Sequence, residues 1–273
     1  LARNRALNWS CIIGTNITGL IEGIINVESF SYITFFSIIC FVYSKSQAFS
    51  KLISLGLFIL AVILAAAFSL HLIPGFSNKL VIDKINLSIY SSPFLMYLNF
   101  DKTMAALVIY CTSDLCISSN SLDKKSIRSI FAYLSLCICI ILGFSLLLGY
   151  VRYDPKFPDI IWPWIVNNLL FVCVGEEIIF RGLLQVKLKE LFKKSAHLSC
   201  LHIVLTSIIF GLAHYNGGVK YIILAGICGL FYGRVYDKTN RIICSIFLHF
   251  GLNLFHILLF TYPKAASIYT LFY

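Results

Sequence analysis

Two adjacent carboxylates, Glu176 and Glu177, and an arginine, Arg181, stand inside an otherwise apolar run from Ile160 to Leu184. An ionisable group within a membrane-length segment costs about 3 kcal/mol or more, so by default it marks a functional site. On a helix Glu177 and Arg181 are i,i+4 neighbours and can pair directly. Glu176 points about 100° away from them. The spacing therefore separates a structural carboxylate from a working one. A carboxylate in an apolar pocket suits a general base near neutral pH.

Two further stretches carry the residues that such a base needs. In Phe210-Gly211-Leu212-Ala213-His214, Phe210 and His214 share a helix face, and Gly211 lets another helix approach closely. In His249-Phe250-Gly251-Leu252-Asn253 the histidine and asparagine again project together, and His256 follows on the same face. One such histidine alone is more often a satisfied core residue. Two histidine-bearing faces and a glutamate pair on three apolar segments are the obvious partners for one another, because polar groups in lipid need partners.

The elements that must hold these residues are membrane helices. The 273-residue chain is 59% hydrophobic and only 12% charged, whereas soluble domains run at about 25% charged. The expected architecture is all-α: a polytopic bundle of about eight transmembrane helices, forming one domain over residues 1–273 with a catalytic core at about 160–261. The net charge of +10 lies in short loops, where it sets orientation and meets lipid headgroups; no nucleic acid is implied. The ten cysteines form no CxxC pair, and Cys40, Cys137, Cys139, Cys173, Cys228 and Cys244 read as small buried residues.

Along the chain, Trp9 to Val27 and Phe30 to Tyr43 form a tight hairpin or one bent span, and Leu52 to Ile73 ends at Pro74-Gly75. Residues 76–103 read as a loop with an interfacial or re-entrant piece. Met104 to Ser119 contains Asp114, best explained as a polar residue near a helix end. Ile130 to Tyr150 spans next, and Trp162 and Trp164 are placed as interfacial anchors of the Glu-bearing span. Leu198 to His214, Val219 to Tyr236 and Ile242 to Phe260 complete the set. The basic loops near 45–51, 120–128, 186–194 and 234–241 alternate correctly if residues 74–103 as a whole stay on the opposite side, which places these loops in the cytoplasm. Counted from those loops, Glu176 and His214 meet in the middle or outer half of the membrane, and His249, which lies shallower, joins them through helix offset or tilt.

The ordered set Glu-Glu-x-x-x-Arg, Phe-x-x-x-His and His-x-x-x-Asn resembles the CAAX protease and bacteriocin-processing (CPBP, or Abi) family of intramembrane glutamic proteases. The resemblance covers about 80 residues. It implies a water-accessible helix bundle needing no metal or other cofactor, with Glu176 as general base and His214 holding the water. It also implies that His249 and Asn253 donate to the oxyanion, and that Glu177, Arg181 and Phe210 support the site. The partners implied are the bilayer and a membrane-bound or exported protein or peptide substrate. The lean chain favours a bacterial inner-membrane member over the eukaryotic endoprotease. Competing readings are a zinc-dependent protease built on one carboxylate and two histidines, and a non-catalytic immunity, scaffold or transport protein.

Overall fold

The computed structural model describes residues 5–46, 50–113, 123–193 and 200–266. Among these the chain forms nine helices: α1 (Arg5–Ile21), α2 (Val27–Ser44), α3 (Lys51–Ser69), α4 (Phe100–Thr112), α5 (Lys124–Leu147), α6 (161–192), α7 (Leu201–Leu212), α8 (Val219–Thr239) and α9 (Ile242–Leu259). Five of them, α2, α3, α5, α8 and α9, are long and apolar enough to cross a bilayer, and α1 and α7 contain shorter apolar helices. The chain is an integral, multi-pass membrane protein with an all-α bundle.

Side-chain caps start several helices where the apolar runs begin. Asn26 and Ser29 form a reciprocal capping box at α2, and Ser50 caps α3. Asp123 accepts from the Ser126 amide at α5. Hydrogen bonds from the Ser126 side chain and backbone hold the exposed Asp123 carboxyl below the usual carboxylate range. The 22–26 turn between α1 and α2 is short, so the first two apolar runs form two helices rather than one bent span.

Helix α6 is the central rod. Its Cys173, Ile178, Ile179 and Leu183 pack with α1–α4 in one apolar cluster. Phe180 also touches the second cluster, built from α5, α7, α8 and α9. Helices α7 and α8 lie very close together. A Cβ on Gly211 would stand 2.7 Å from the Ile222 carbonyl oxygen, and one on Gly229 would stand 3.0 Å from Ser207 Cα. Small residues are what permit that approach in lipid.

The helix ends sort onto two sides. Tyr43, Ser46, Thr112, Lys187 and Glu190 line one cavity of about 200 Å³, and Lys189 and His202 both meet Asp237. This is the side of the basic turns. On the other side Lys220 donates to the Leu148 carbonyl and Tyr150 stacks on Tyr221.

Four expectations need correction or placement. Residues 76–103, expected as a loop with an interfacial or re-entrant piece, hold a strand pair: β1 (Lys79–Ile85) pairs antiparallel with β2 (Phe94–Leu98). The hairpin buries Ile82, Phe94 and Met96 against Ile161, Trp164 and Ile257, which gives a lone strand pair the apolar face it needs. Trp164 is no interfacial anchor, because it is 1% exposed and its indole N–H donates to the Tyr262 hydroxyl; Trp162 is exposed. Cys139 is exposed while Cys137 is buried, since two residues apart on a helix face different ways. Asp114 lies outside the described residues, as does the end of its expected span; α4 covers Phe100–Thr112.

Candidate functional site

The hydrogen-bond ladder of α6 widens to i→i+5 over Asn167–Cys173 and again over Ile178–Gln185, leaving one α-helical turn, Val174–Glu177, between them. Such widened turns concentrate at functional sites. The glutamate pair sits in that intervening turn.

Glu177 is fully buried and fully occupied. Its Oε1 accepts from Arg181 Nη1 at 3.2 Å and from His249 Nδ1 at 2.9 Å, and its Oε2 accepts from the Ser245 hydroxyl. Arg181, 0% exposed, also donates from Nη2 to the Gly229 carbonyl at 3.1 Å. Its guanidinium lies 4.7 Å from the Phe210 ring centroid and 5.3 Å from that of Tyr232, where the ring faces attract a cation.

Glu176 is held differently. Lys102 Nζ, from the first turn of α4, donates to Oε1 at 2.6 Å. The apolar pocket expected for this carboxylate is thereby corrected in one respect, because a cation from a distant helix also reaches it. Its Oε2 is buried and, among the described residues, has no hydrogen-bond partner. Facing it are His214 Nε2 at 3.8 Å and His249 Nε2 at 4.0 Å. Those gaps are too long for direct hydrogen bonds and suit a small bridging group.

Both imidazoles are oriented from behind. His214 Nδ1 lies 2.7 Å from the Phe210 carbonyl oxygen, which can only accept, so Nδ1 donates and Nε2 is turned to Glu176. His249 Nδ1 donates to Glu177, and its ring stacks on Tyr232 at 4.5 Å. Phe210 fills the space between them, 4.7 Å from the His214 ring and 6.0 Å from that of His249.

Asn253 sits one turn beyond His249. Its Nδ2 donates to Asn168 Oδ1 at 3.2 Å and to Cys173 Sγ at 3.7 Å. His256 bonds instead to the Thr261 carbonyl and lines a small cavity of about 70 Å³ with His214, His249 and Asn253. A larger and mostly apolar cavity of about 220 Å³ lies on the other side of His214, between α3, α6 and α7. Glu176 and Lys102 stand in its wall.

All seven residues singled out by type and spacing are thus in one place. Lys102, Ser245, Asn168 and Tyr232 are also there, and were not foreseen. Among the described residues no group of three His, Cys, Asp or Glu side chains is arranged to hold a metal ion.

Residues 158–255 match the family described as type II CAAX prenyl endopeptidase Rce1-like. Over this stretch, 98 of the 273 residues, the chain is similar to that family of CAAX proteases. The match takes in both glutamates, Arg181, Phe210, both site histidines and Asn253. The family itself is one of endopeptidases, so at family level the match supports a peptidase within a membrane-spanning chain. The matched stretch excludes α4, and with it Lys102. No curated protein and no solved structure matches the chain.

Proposed function

We propose that this chain is an intramembrane glutamic endopeptidase that cleaves membrane-associated or exported proteins. The observation that carries the reading is the unpartnered Oε2 of buried Glu176, faced by two imidazole Nε2 atoms at 3.8 and 4.0 Å. A water molecule there has a base, an acceptor and room beside a cavity for peptide.

In this reading His214 Nε2 accepts a hydrogen bond from the water and fixes its direction. Glu176 Oε2 takes a water proton as the oxygen attacks the peptide carbonyl carbon. The carbonyl π bond breaks, and its electron pair becomes the oxyanion of the tetrahedral intermediate. His249, donating from Nε2 in its charged form between the two glutamates, and Asn253 Nδ2 stabilise that oxyanion, a term that usually contributes most to such catalysis. The C–N bond then breaks, and Glu176 returns its proton to the leaving amine. Glu177 and Arg181 hold His249, and Phe210 spaces the two imidazoles.

The level of the site supports an exported or membrane-anchored substrate. Lys102 is in the first turn of α4, Leu70 caps α3 and His214 follows the end of α7. All three are helix ends on the side opposite the basic turns. With those turns in the cytoplasm of a bacterial inner membrane, the site opens toward the outer half of the bilayer.

The test is to incubate the purified protein in detergent with membrane-protein fractions and to read new peptide termini by mass spectrometry, beside Glu176→Gln. New termini with the unaltered chain and none with the variant support the reading. Identical termini with both would contradict it, and absence of any cleavage would favour an immunity or scaffold role.

A further inference from the structure

One charged side chain reaches the site from outside the stretch matched to the family. Lys102 Nζ and Glu176 Oε1 are 2.6 Å apart, and both side chains are largely buried, at 12% and 11% exposure. Local structure does not explain a lysine at this position. In the first turn of α4 an ammonium meets the positive end of the helix, where an anion belongs. Asp101 beside it has the favourable sign: its Oδ1 accepts from the Lys102 backbone amide at 2.8 Å and its Oδ2 lies 2.6 Å from His71 Nδ1. An ammonium at membrane depth also costs free energy unless a partner compensates for it.

The partner is Glu176, and the path to it is shaped for the lysine stem. A Cβ on Gly175 would stand 3.7 Å from Lys102 Cε and 3.9 Å from its Cγ. The stem therefore lies across the bare backbone of the residue preceding the glutamate. Ala106, one turn further along α4, is the next neighbour at 4.0 Å.

This contact divides the two oxygens of Glu176. One is held by the ammonium, and the other is the unpartnered atom that faces both imidazoles. A carboxylate free to rotate would offer either oxygen in many directions. Pinning Oε1 leaves one oxygen and one direction.

We propose that Lys102 is a positioning residue that fixes the Glu176 carboxylate so that Oε2 alone is presented to the attacking water. The inference rests on the peptidase reading above. It extends the working unit to α4, so that residues 158–255 alone do not make the complete site.

The experiment measures kcat and KM on a peptide cut by the unaltered chain, for Lys102→Met, Lys102→Arg, Glu176→Gln and the Lys102→Met/Glu176→Gln pair, with folding followed by thermal unfolding. Misplacing a catalytic group by about 1 Å can lower the rate ~100-fold. A fall of that order in kcat for Lys102→Met, with KM unchanged, is expected. Lys102→Arg should recover part of the rate, and the double variant should be no slower than Glu176→Gln, because Lys102 acts only through Glu176. Should Lys102→Met fail to accumulate, Lys102→Gln is read in the same way. Unchanged kinetics would overturn the inference and leave the peptidase reading intact. A raised KM at full kcat would also overturn it, placing Lys102 on the substrate instead. Failure of the unaltered chain to cleave would overturn the peptidase reading and this inference with it.

Discussion

His249 bridges the two glutamates: its Nδ1 lies 2.9 Å from Glu177 Oε1, while its Nε2 faces Glu176 Oε2 at 4.0 Å. Adjacent residues of the same type therefore stand in different surroundings. Glu177 orients a ring, and Glu176 meets whatever that ring and His214 enclose. Arg181 completes the first arrangement from one helical turn away.

Removing Arg181 should be felt first as stability. Arg181→Met leaves Glu177 buried with its cation gone, and breaking a buried pair on one side costs about 3–5 kcal/mol. Thermal unfolding in detergent should show a clearly lowered midpoint. Glu176→Gln, which leaves the Lys102 ammonium a neutral acceptor in place of its carboxylate, should lower it less.

Asn253→Ala should show the opposite pattern. Its Nδ2 bonds are one ordinary contact to Asn168 and one weak contact to Cys173, so little stability depends on them. Loss of an oxyanion donor lowers kcat by about 10²–10³. Steady-state kinetics should give a fall of that size at an almost unchanged unfolding midpoint. Asn168→Ala, which only frees the Asn253 amide to turn, should be milder.

Gly211→Val tests the close approach of α7 and α8. The added Cβ would meet the Ile222 backbone oxygen at 2.7 Å, and backbone cannot yield as a flexible side chain can. Overpacking of this kind costs about 1–3 kcal/mol, and the helices should part near His214, three residues on. Both the unfolding midpoint and kcat should fall. Gly14→Val, at a site where an added Cβ meets nothing within 4 Å, is the matched control.

Chelation separates the glutamic mechanism from a zinc-dependent one. Tetrahedral zinc with ligands at 2.0–2.1 Å brings its donor atoms to about 3.3 Å from one another, closer than the 3.8 and 4.0 Å seen from Glu176 to the two imidazoles. Cleavage rates measured after exhaustive dialysis against a strong chelator should equal those before it. Loss on chelation and recovery with zinc alone would move the metal reading forward.

The transmembrane helices were legible because apolar runs of sufficient length declare themselves. The i,i+4 pair Glu177–Arg181 was legible because helix geometry puts those positions on one face. Lys102 was not, since its partner is 74 positions away and no periodicity links two helices. Its one local signal was a lysine in the first turn of α4, against the helix dipole. The hairpin was hidden for a different reason. Val81, Ile82 and Ile85 have strand character, and Phe94 and Met96 alternate with outward residues; in a chain this apolar, such signals merge with those of the spans. The widened turns of α6 leave no compositional mark, because they are a slip in backbone pairing.

The central claim is that Glu176 activates water. The most direct measurement is single-turnover cleavage of a defined peptide by Glu176→Gln beside the unaltered chain, at matched folded fraction. Glutamine keeps the volume and removes the base, so at matched folded fraction the account expects the rate to fall to background while peptide binding remains. Cleavage by Glu176→Gln at or near the unaltered rate would contradict it.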